Sequence, residues 1–378
     1  MGKVNFVNTN NLKIARENVG LDVYRASKNI AGTKRDMVVL WESGQLLPTW
    51  KQLEKAAKVY NTSALLLVSK KNIKENKEIP DFRIGLHDDI EKDEVKKLID
   101  LVLKRQGWLE QVYRKEGKNK NKLIGSGSKI GNPKELAQHI ANTLEINIHD
   151  IKTITGSEAR RQVLKYLIKK AEDKGIFVGK TVAYHKISVE QMRGLFISND
   201  YCPFIILNRR DALSAQIFSF IHELAHFYRK SDSISNSIDF RDTNKDINPE
   251  ETLCNKVAAN LLLPEDEFVK VNYDKDDIDV LAELYKLSKL FIFYRLKWLN
   301  KISRTDADKI EEELRKESER NLEYLKNRKK KTGGNYYYSM QDSNGDLFNR
   351  TVAGAYFENK INYSEASNLL KFSVEFYE

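Results

Sequence analysis

Cysteine and proline are scarce in this sequence, and long apolar runs are missing. The 378 residues include two cysteines, Cys202 and Cys254, and six prolines. Two distant cysteines outside a C-x-x-C pair exclude both a disulfide scaffold and a thiolate zinc site. No apolar run reaches the roughly 18 residues of a membrane span, and the first residues lack the apolar core of a signal peptide. We therefore expect a cytoplasmic protein without membrane contact.

Size and charge narrow the class of protein further. A chain of this length with 41% hydrophobic residues can form two or three domains with their own cores. The formal net charge is +10 and the isoelectric point about 9.2, which indicates either an acidic partner or only a lysine-rich composition.

Histidine is also scarce, yet two of the six histidines lie four residues apart. Residues 222–226 read HELAH within a helix-like apolar run from Leu213 to Tyr228. On a helix, positions i and i+4 share a face, so His222 and His226 can bind one Zn²⁺ while Glu223 acts as a base for a water molecule. The alternative is a pair of satisfied core histidines, but burying two histidines and a glutamate is costly without a charged partner. The pattern therefore predicts a metal site.

A third ligand has to come from another segment, because catalytic zinc usually has three protein ligands. Glu251 is the candidate, at the start of a second apolar-periodic helix behind Asn248 and Pro249. The same local sequence also fits a capping box, with Asn248 as the N-cap and Pro249 at the first helical position. Spacing alone does not decide whether Glu251 is a metal ligand or a helix-capping residue.

The segment that begins at Glu251 makes the prediction from HELAH more specific. Residues 251–264 read ETLCNKVAANLLLP. Together with HELAH, this segment resembles the ImmA/IrrE metallopeptidases, whose pattern is HELxH followed by E-x-x-A/C-N-x-F-A-x-x-L-L-x-P. The resemblance covers roughly residues 130–300, with Val257 in place of the usual Phe. It implies a zinc peptidase in which His222, His226 and Glu251 hold Zn²⁺ and Glu223 is the catalytic base.

The first 70 residues indicate a helix-turn-helix domain. Apolar residues at helical spacing are followed by WESG at 41–44, Pro48-Thr49 and an amphipathic segment from Leu53 to Tyr60. This resembles the XRE (Cro/CI-type) domain, which implies double-stranded DNA as a partner. The recognition helix would then run from about Lys34 to Trp41, with Lys34 and Arg35 contacting DNA. A protein-docking or dimerisation module of the same fold is the alternative.

These patterns predict a mainly α fold with a small β-sheet, of the α+β class. The predicted domains are an all-α helix-turn-helix domain (1–70), a helical bridging segment (71–125), a gluzincin-like zinc peptidase domain (126–300), a charged helix or linker (301–332) and a small C-terminal α/β subdomain (333–378). The resemblance to the ImmA/IrrE metallopeptidases implies strands at 194–197 and 205–208, before the HELAH helix. A further strand is expected over Asn335–Ser339, followed by a turn at Asn344-Gly345.

The predicted function follows from the resemblance. It is zinc-dependent cleavage of a protein partner, expected to be a helix-turn-helix transcriptional repressor, in mobile-element, stress or phage-defence regulation. The alternative is a non-catalytic DNA-binding regulator or antitoxin with a structural zinc site. Peptide hydrolysis also needs a group that stabilises the negative charge developing on the carbonyl oxygen. The sequence does not assign this second electrophile, because Tyr228, His185 and Arg209 are equal candidates.

Overall fold

A computed structural model of the chain describes residues 4, 6–18, 21–31, 36–60, 62–70, 72, 92–182, 187–231, 233–235, 249–327 and 336–374. The chain forms two compact units, Met1–Leu101 and Val102–Glu378. The boundary between the two units falls within the predicted bridging segment, 71–125. The predicted domain boundaries stay predictions. None of the described helices is both long enough and apolar enough to cross a membrane.

The described residues of the first unit include five short helices: α1 (Thr9–Asn18), α2 (Val23–Ala31), α3 (Met37–Glu42), α4 (Trp50–Val59) and α5 (Ala64–Leu67). Trp41 of α3 is fully buried in their shared core. Helix α4 begins at a capping box, in which Thr49 and Gln52 each accept a hydrogen bond from the other's backbone N–H. The Pro48-Thr49 pair therefore marks the start of α4, because the side chain of Thr49 accepts a hydrogen bond from a backbone N–H in the first turn of this helix.

The expected recognition helix overlaps α3, whose described residues begin at Met37. The N–H of Val38 donates to Oγ of Ser27 at 3.1 Å, which ties the start of α3 to α2. The two expected DNA contacts, Lys34 and Arg35, lie outside the described residues. Their role stays a prediction.

The remaining helices are α6 (Lys92–Lys115), α7 (Pro133–Leu144), α8 (Ile148–Thr153), α9 (Ala159–Glu172), α10 (Leu213–Arg229), α11 (Pro249–Leu262), α12 (Lys275–Tyr285), α13 (Lys289–Trp298), α14 (Arg304–Asn327), α15 (Tyr336–Asn344), α16 (Asp346–Phe357) and α17 (Tyr363–Leu370). With one small sheet among them, the described part of the chain is mainly helical. This confirms the α+β class.

The sheet has four strands, β1 (Phe177–Lys180), β2 (Gly194–Ile197), β3 (Phe204–Leu207) and β4 (Ser233–Ser235), in the order β1-β3-β2-β4. β1 runs parallel to β3, and the other two pairings are antiparallel. β2 and β3 are buried at every position, as expected for the short apolar runs GLFI and FIIL. The strands predicted at 194–197 and 205–208 are confirmed by β2 and β3.

Helix α10 crosses this sheet and carries the HELAH pentad. It packs against β2, β3 and β4 on one side and against α7, α9 and α11 on others. Because α10 is surrounded in this way, every residue from Gln216 to Tyr228 is buried. The predicted buried helix is confirmed, and its two histidines lie inside the domain.

The C-terminal segment is helical where the structure describes it, so the predicted strand is wrong over residues 336–339, and the predicted α/β tail is wrong too. Asn335 lies outside the described residues. Tyr336, Tyr337 and Tyr338 are all exposed, whereas a half-buried strand would alternate. Burial recurs instead at helical spacing, at Met340, Ser343 and Asn344. The turn at Gly345 separates two helices: its φ is +85°, and a Cβ there would lie 1.8 Å from the carbonyl oxygen of Val178.

Candidate metal centre

Helix α10 brings the two histidines of the pentad to one point. His222 and His226 are 2% and 1% exposed, and their Nε2 atoms lie 3.0 Å apart. One helical turn separates the residues, so both rings leave the same face of α10. The sequence expectation that the two imidazoles share a site fits this geometry.

Glu251 reaches the same point from the first turn of α11. Its Oε2 lies 3.1 Å from Nε2 of His222, and its Oε1 lies 3.3 Å from Nε2 of His226. The ligand atoms of the three residues all lie within 4.8 Å of one another. Both carboxylate oxygens of Glu251 therefore face imidazoles, as expected for a metal ligand. Asn248, the N-cap in the alternative interpretation of Glu251 as a capping residue, lies outside the described residues.

The electrostatics of this cluster favour a positive charge next to Glu251. Burial alone would raise the pKa of Glu251, but hydrogen bonds from His222 and His226 hold it well below the usual value. Burial alone would lower the pKa of His222, but Glu251, Glu223 and Asn255 together raise it. The pocket therefore keeps an ionised carboxylate and stabilises the positive charge facing it.

The donor set fits a zinc ion. Two imidazole nitrogens and one carboxylate oxygen are the usual ligands of zinc in sites with three protein ligands. Both Nε2 atoms and both carboxylate oxygens of Glu251 lie within hydrogen-bond distance of one another, and each can direct a lone pair to the same point. A divalent cation between His222, His226 and Glu251 would satisfy all three donors.

A polar chain behind His226 fixes its ring. Nδ1 of His226 lies 2.9 Å from Oγ of Ser231, and that hydroxyl lies 3.4 Å from Oε1 of Glu250. Arg229 holds Glu250 through a pair of hydrogen bonds from its guanidinium. A partner on the second ring nitrogen orients a ligating histidine, so these residues support His226 from outside the cluster.

The surroundings of His222 differ from those of His226. Asn255 follows Glu251 by one turn of α11 and is among the groups that raise the pKa of His222. Its Oδ1 and the Nδ1 of His222 are both buried, and neither completes a hydrogen bond within the described residues.

Glu223, the predicted base, lies next to this cluster on α10 and is fully buried. Its Oε2 accepts a hydrogen bond of 2.6 Å from Oγ of Ser233 on β4. Glu223 also contributes to the raised pKa of His222, which places its charge near the imidazoles. The structure therefore brings together all four residues predicted from HELAH and Glu251.

The three candidates for a second electrophile are not brought to the cluster by the described contacts. The hydroxyl of Tyr228 lies 2.5 Å from Oγ1 of Thr143 on α7, and Arg209 donates to Oγ of Ser339 on α15. His185 lies outside the described residues. No residue is assigned to this role.

Sequence reasoning missed the residues that surround the three candidate ligands and Glu223. These are Gly194, Ser231, Ser233, Glu250 and Asn255, which come from β2, β4, α11 and the turn after α10. Only Asn255 carried a sequence signal, since it stands in the quoted motif. The others could not be found, because contacts between distant segments depend on how the elements pack.

Comparison with known families finds a match over the part of the chain that contains this cluster. Residues 178–297 match the Peptidase_M78 family model, described as the IrrE N-terminal-like domain. The matched segment runs from β1 to α13 and contains His222, Glu223, His226 and Glu251. It supports the resemblance to the ImmA/IrrE family and a metallopeptidase-type role, but it does not reach residues 1–70. A search of curated proteins found no match to the chain.

Proposed function

We propose that this chain is a zinc-dependent endopeptidase that cleaves a helix-turn-helix transcriptional repressor. The observation that carries the proposal is the convergence of His222, His226 and Glu251 beside a buried glutamate. The match of residues 178–297 to a peptidase family supports the reaction class. The choice of a repressor as substrate comes from the resemblance to ImmA/IrrE proteins, and so does a role in mobile-element, stress or phage-defence regulation.

The number of donors favours a catalytic site over a structural one. Structural zinc sites usually have four protein ligands, whereas catalytic sites have three and an open position. Among the described residues, the cluster offers three donor side chains. Its one partly exposed member is Glu251, whose side chain is 31% exposed. Three donors among the described residues therefore support a catalytic site with an open position over a structural one.

Each residue of the site has a distinct task in peptide hydrolysis. A bound zinc ion would supply Lewis-acid polarisation of the substrate carbonyl. His222, His226 and Glu251 would hold that ion. Glu223 takes a proton from the attacking water and passes it to the leaving amine, a role that contributes about 10²–10⁴-fold in typical enzymes. The burial of Glu223 excludes bulk water from the proton transfer.

The experiment compares the wild type with Glu223→Gln, which keeps the three ligands and removes the base. We expect a helix-turn-helix repressor to be encoded beside the gene of this chain. The purified, zinc-loaded chain is incubated with that repressor, and fragments are measured by intact mass spectrometry. The wild type should cut the repressor at a restricted site in an exposed linker, since a cleft needs extended backbone. Glu223→Gln should bind zinc and leave the repressor intact. Equal repressor loss with both proteins, in the tube and in cells after DNA damage or phage challenge, would replace the peptidase with a DNA-binding regulator or antitoxin carrying structural zinc.

A second role is proposed for the first unit, namely binding of double-stranded DNA through residues 1–70. The five-helix arrangement and the capping box at Thr49 support it, because they fit the segments that resemble an XRE domain. DNA affinity should then fall steeply with salt and disappear in Lys34→Ala/Arg35→Ala, since phosphate contacts release counterions. Salt-independent or undetectable binding to the promoter of its own operon would favour a protein-docking module.

A further inference from the structure

The carboxylate of Glu223 is held from the sheet, not only from its own helix. A fully buried carboxylate needs hydrogen bonds to offset the loss of water. Oγ of Ser233 supplies one by donating to Oε2 at 2.6 Å. Ser233 is itself 5% exposed, so water competes little for this bond.

The register of the sheet explains why Ser233 faces Glu223. Ser233 pairs with Phe196 of β2, and directly paired residues point to the same face of a sheet. Phe196 contacts Phe227 of α10 with ring centroids 6.0 Å apart, so this is the face that α10 covers. The hydroxyl of Ser233 is therefore directed at the helix that carries the pentad.

Gly194 of β2 lies directly against the same carboxylate. Residues 194 and 196 lie on one face of β2, because side chains alternate along a strand. A Cβ at position 194 would lie 2.5 Å from Oε1 of Glu223 and 2.8 Å from its Cγ. Any other residue would have to displace the side chain of Glu223, so the space for this carboxylate exists only because residue 194 is glycine.

We propose that Ser233 and Gly194 are positioning residues that fix the orientation of the Glu223 carboxylate beside the metal site. Ser233 holds Oε2, and Gly194 gives Oε1 the room to lie against the sheet. This inference rests on the proposed function, because orientation matters to the reaction only if Glu223 is the base. A base must lie within hydrogen-bond reach of its proton, and a displacement of about 1 Å can cost about 100-fold in rate.

A double-mutant cycle on unfolding tests the contact independently of activity. Urea midpoints are measured for the wild type, Ser233→Ala, Glu223→Gln and the double variant of the full chain. Ser233→Ala should lower the midpoint more in the wild type than in Glu223→Gln, because a bond to a charged acceptor is about twice as strong as one to a neutral acceptor. Equal shifts in the two backgrounds would overturn the proposal.

Ser219→Ala is the matched control on the same helix. Ser219 lies one turn before Glu223 on α10, and its buried hydroxyl has no hydrogen-bond partner within the described residues. Its removal should not lower the midpoint. A decrease as large as that of Ser233→Ala would mean that the assay reports general loss of packing, and it would overturn the assignment.

Metal binding and turnover then separate positioning from a merely structural role. Titration with Zn²⁺ should give the same affinity for the wild type, Ser233→Ala and Gly194→Ala. With the repressor as substrate, Ser233→Ala should lower kcat about tenfold with unchanged KM, less than the full contribution of a base. Ser233→Thr keeps the hydroxyl and should restore kcat. Loss of zinc affinity in Ser233→Ala, or failure of Thr to restore kcat, would overturn the positioning role.

Gly194→Ala should have the larger effect, about 100-fold on kcat, because its Cβ meets the carboxylate directly. Gly354→Ala on α16 is its control, since a Cβ there meets nothing within 4 Å. If Gly194→Ala turns over substrate as fast as Gly354→Ala, a glycine at position 194 is not required and the proposal fails. Absence of cleavage by the wild type would instead overturn the proposed function, while the unfolding cycle still decides whether Ser233 holds Glu223.

Discussion

Nε of Arg229 lies 2.8 Å from Oε1 of Glu250, so the carboxylate next to Glu251 in the sequence is bound to the end of α10 instead of to the imidazoles. Glu250 and Glu251 are consecutive residues of the first turn of α11. Because successive positions on a helix point about 100° apart, the two carboxylates serve different partners. Glu250 connects α10 to α11, and Glu251 completes the candidate metal centre with His222 and His226.

The two glutamates therefore give a matched pair of variants. Glu251→Gln should lower zinc affinity by about 100-fold or more, above the 10–100-fold typical of residues outside the ligand shell. Glu250→Gln should lower zinc affinity less, by at most about 10–100-fold, because Glu250 supports His226 only through Ser231. It should also lose part of the Arg229 contact. Zinc titration and thermal melting of both variants decide the question. If Glu251 only caps α11, Glu251→Gln will keep its zinc and lose about 0.5–2 kcal/mol of stability.

Removal of either histidine should abolish the site. His222→Ala and His226→Ala each leave two of three donors, so the protein should lose the single equivalent of zinc that we expect in the wild type. His149→Ala on α8 is the control, because its imidazole is outside the cluster. Elemental analysis of protein purified without chelator provides the measurement. A wild type that contains no transition metal and takes up none on reconstitution would contradict the metal site.

Glu172 should make stability depend on pH. Burial raises the pKa of Glu172 from 4.5 to about 7, although its Oε1 accepts the N–H of Leu347 at 3.0 Å. Between these two values the folded protein binds more protons than the unfolded chain. This contribution is therefore fully present below the unfolded pKa and is lost as pH rises through 7.

Glu172→Gln keeps the acceptor for Leu347 and removes the charge. At pH 8 the variant should be more stable than the wild type by about 1–3 kcal/mol, and the difference should disappear near pH 4.5. Urea unfolding from pH 4.5 to 8 measures it. Glu158→Gln, at the exposed N-cap of α9, should show no such divergence. Parallel pH profiles for Glu172→Gln and the wild type would refute the prediction.

Arg105 should anchor the C-terminal helices. Its Nη2 donates to Oδ1 of Asn344 at 2.5 Å and to the carbonyl oxygen of Leu369 at 3.1 Å, and its guanidinium lies 4.7 Å from the ring centre of Phe348. Arg105→Ala should cost about 2–4 kcal/mol, because buried acceptors lose a charged donor. Arg105→Lys should recover only part of this, since an ammonium cannot reproduce the planar donor geometry.

Denaturant unfolding and limited proteolysis of residues 336–374 check this prediction. Arg114→Ala is the control, because Arg114 on the same helix is 57% exposed and bonds to Glu110. A stability loss for Arg105→Ala no greater than for Arg114→Ala would show that Arg105 does not anchor the segment.

The sequence by itself determined the parts of the site that lie on one helix. His222, Glu223 and His226 follow from helical periodicity, and the apolar residues around them predicted a buried helix. Two strands before α10 were expected from the resemblance to a family, and β2 and β3 confirm them. Glu251 needed the resemblance to a family, since its local sequence fits a cap equally well.

Only the tertiary structure decided which distant groups meet. The tyrosines at 336–338 suit a strand by composition, but the segment is helical and its buried residues recur at helical spacing, so the predicted strand was wrong. Ser233 and Gly194 become informative only when β4 pairs with β2 under α10. Helical and strand periodicities are local properties of the chain, whereas the pairing of α10 with α11 and with the sheet is set by packing between segments far apart in sequence.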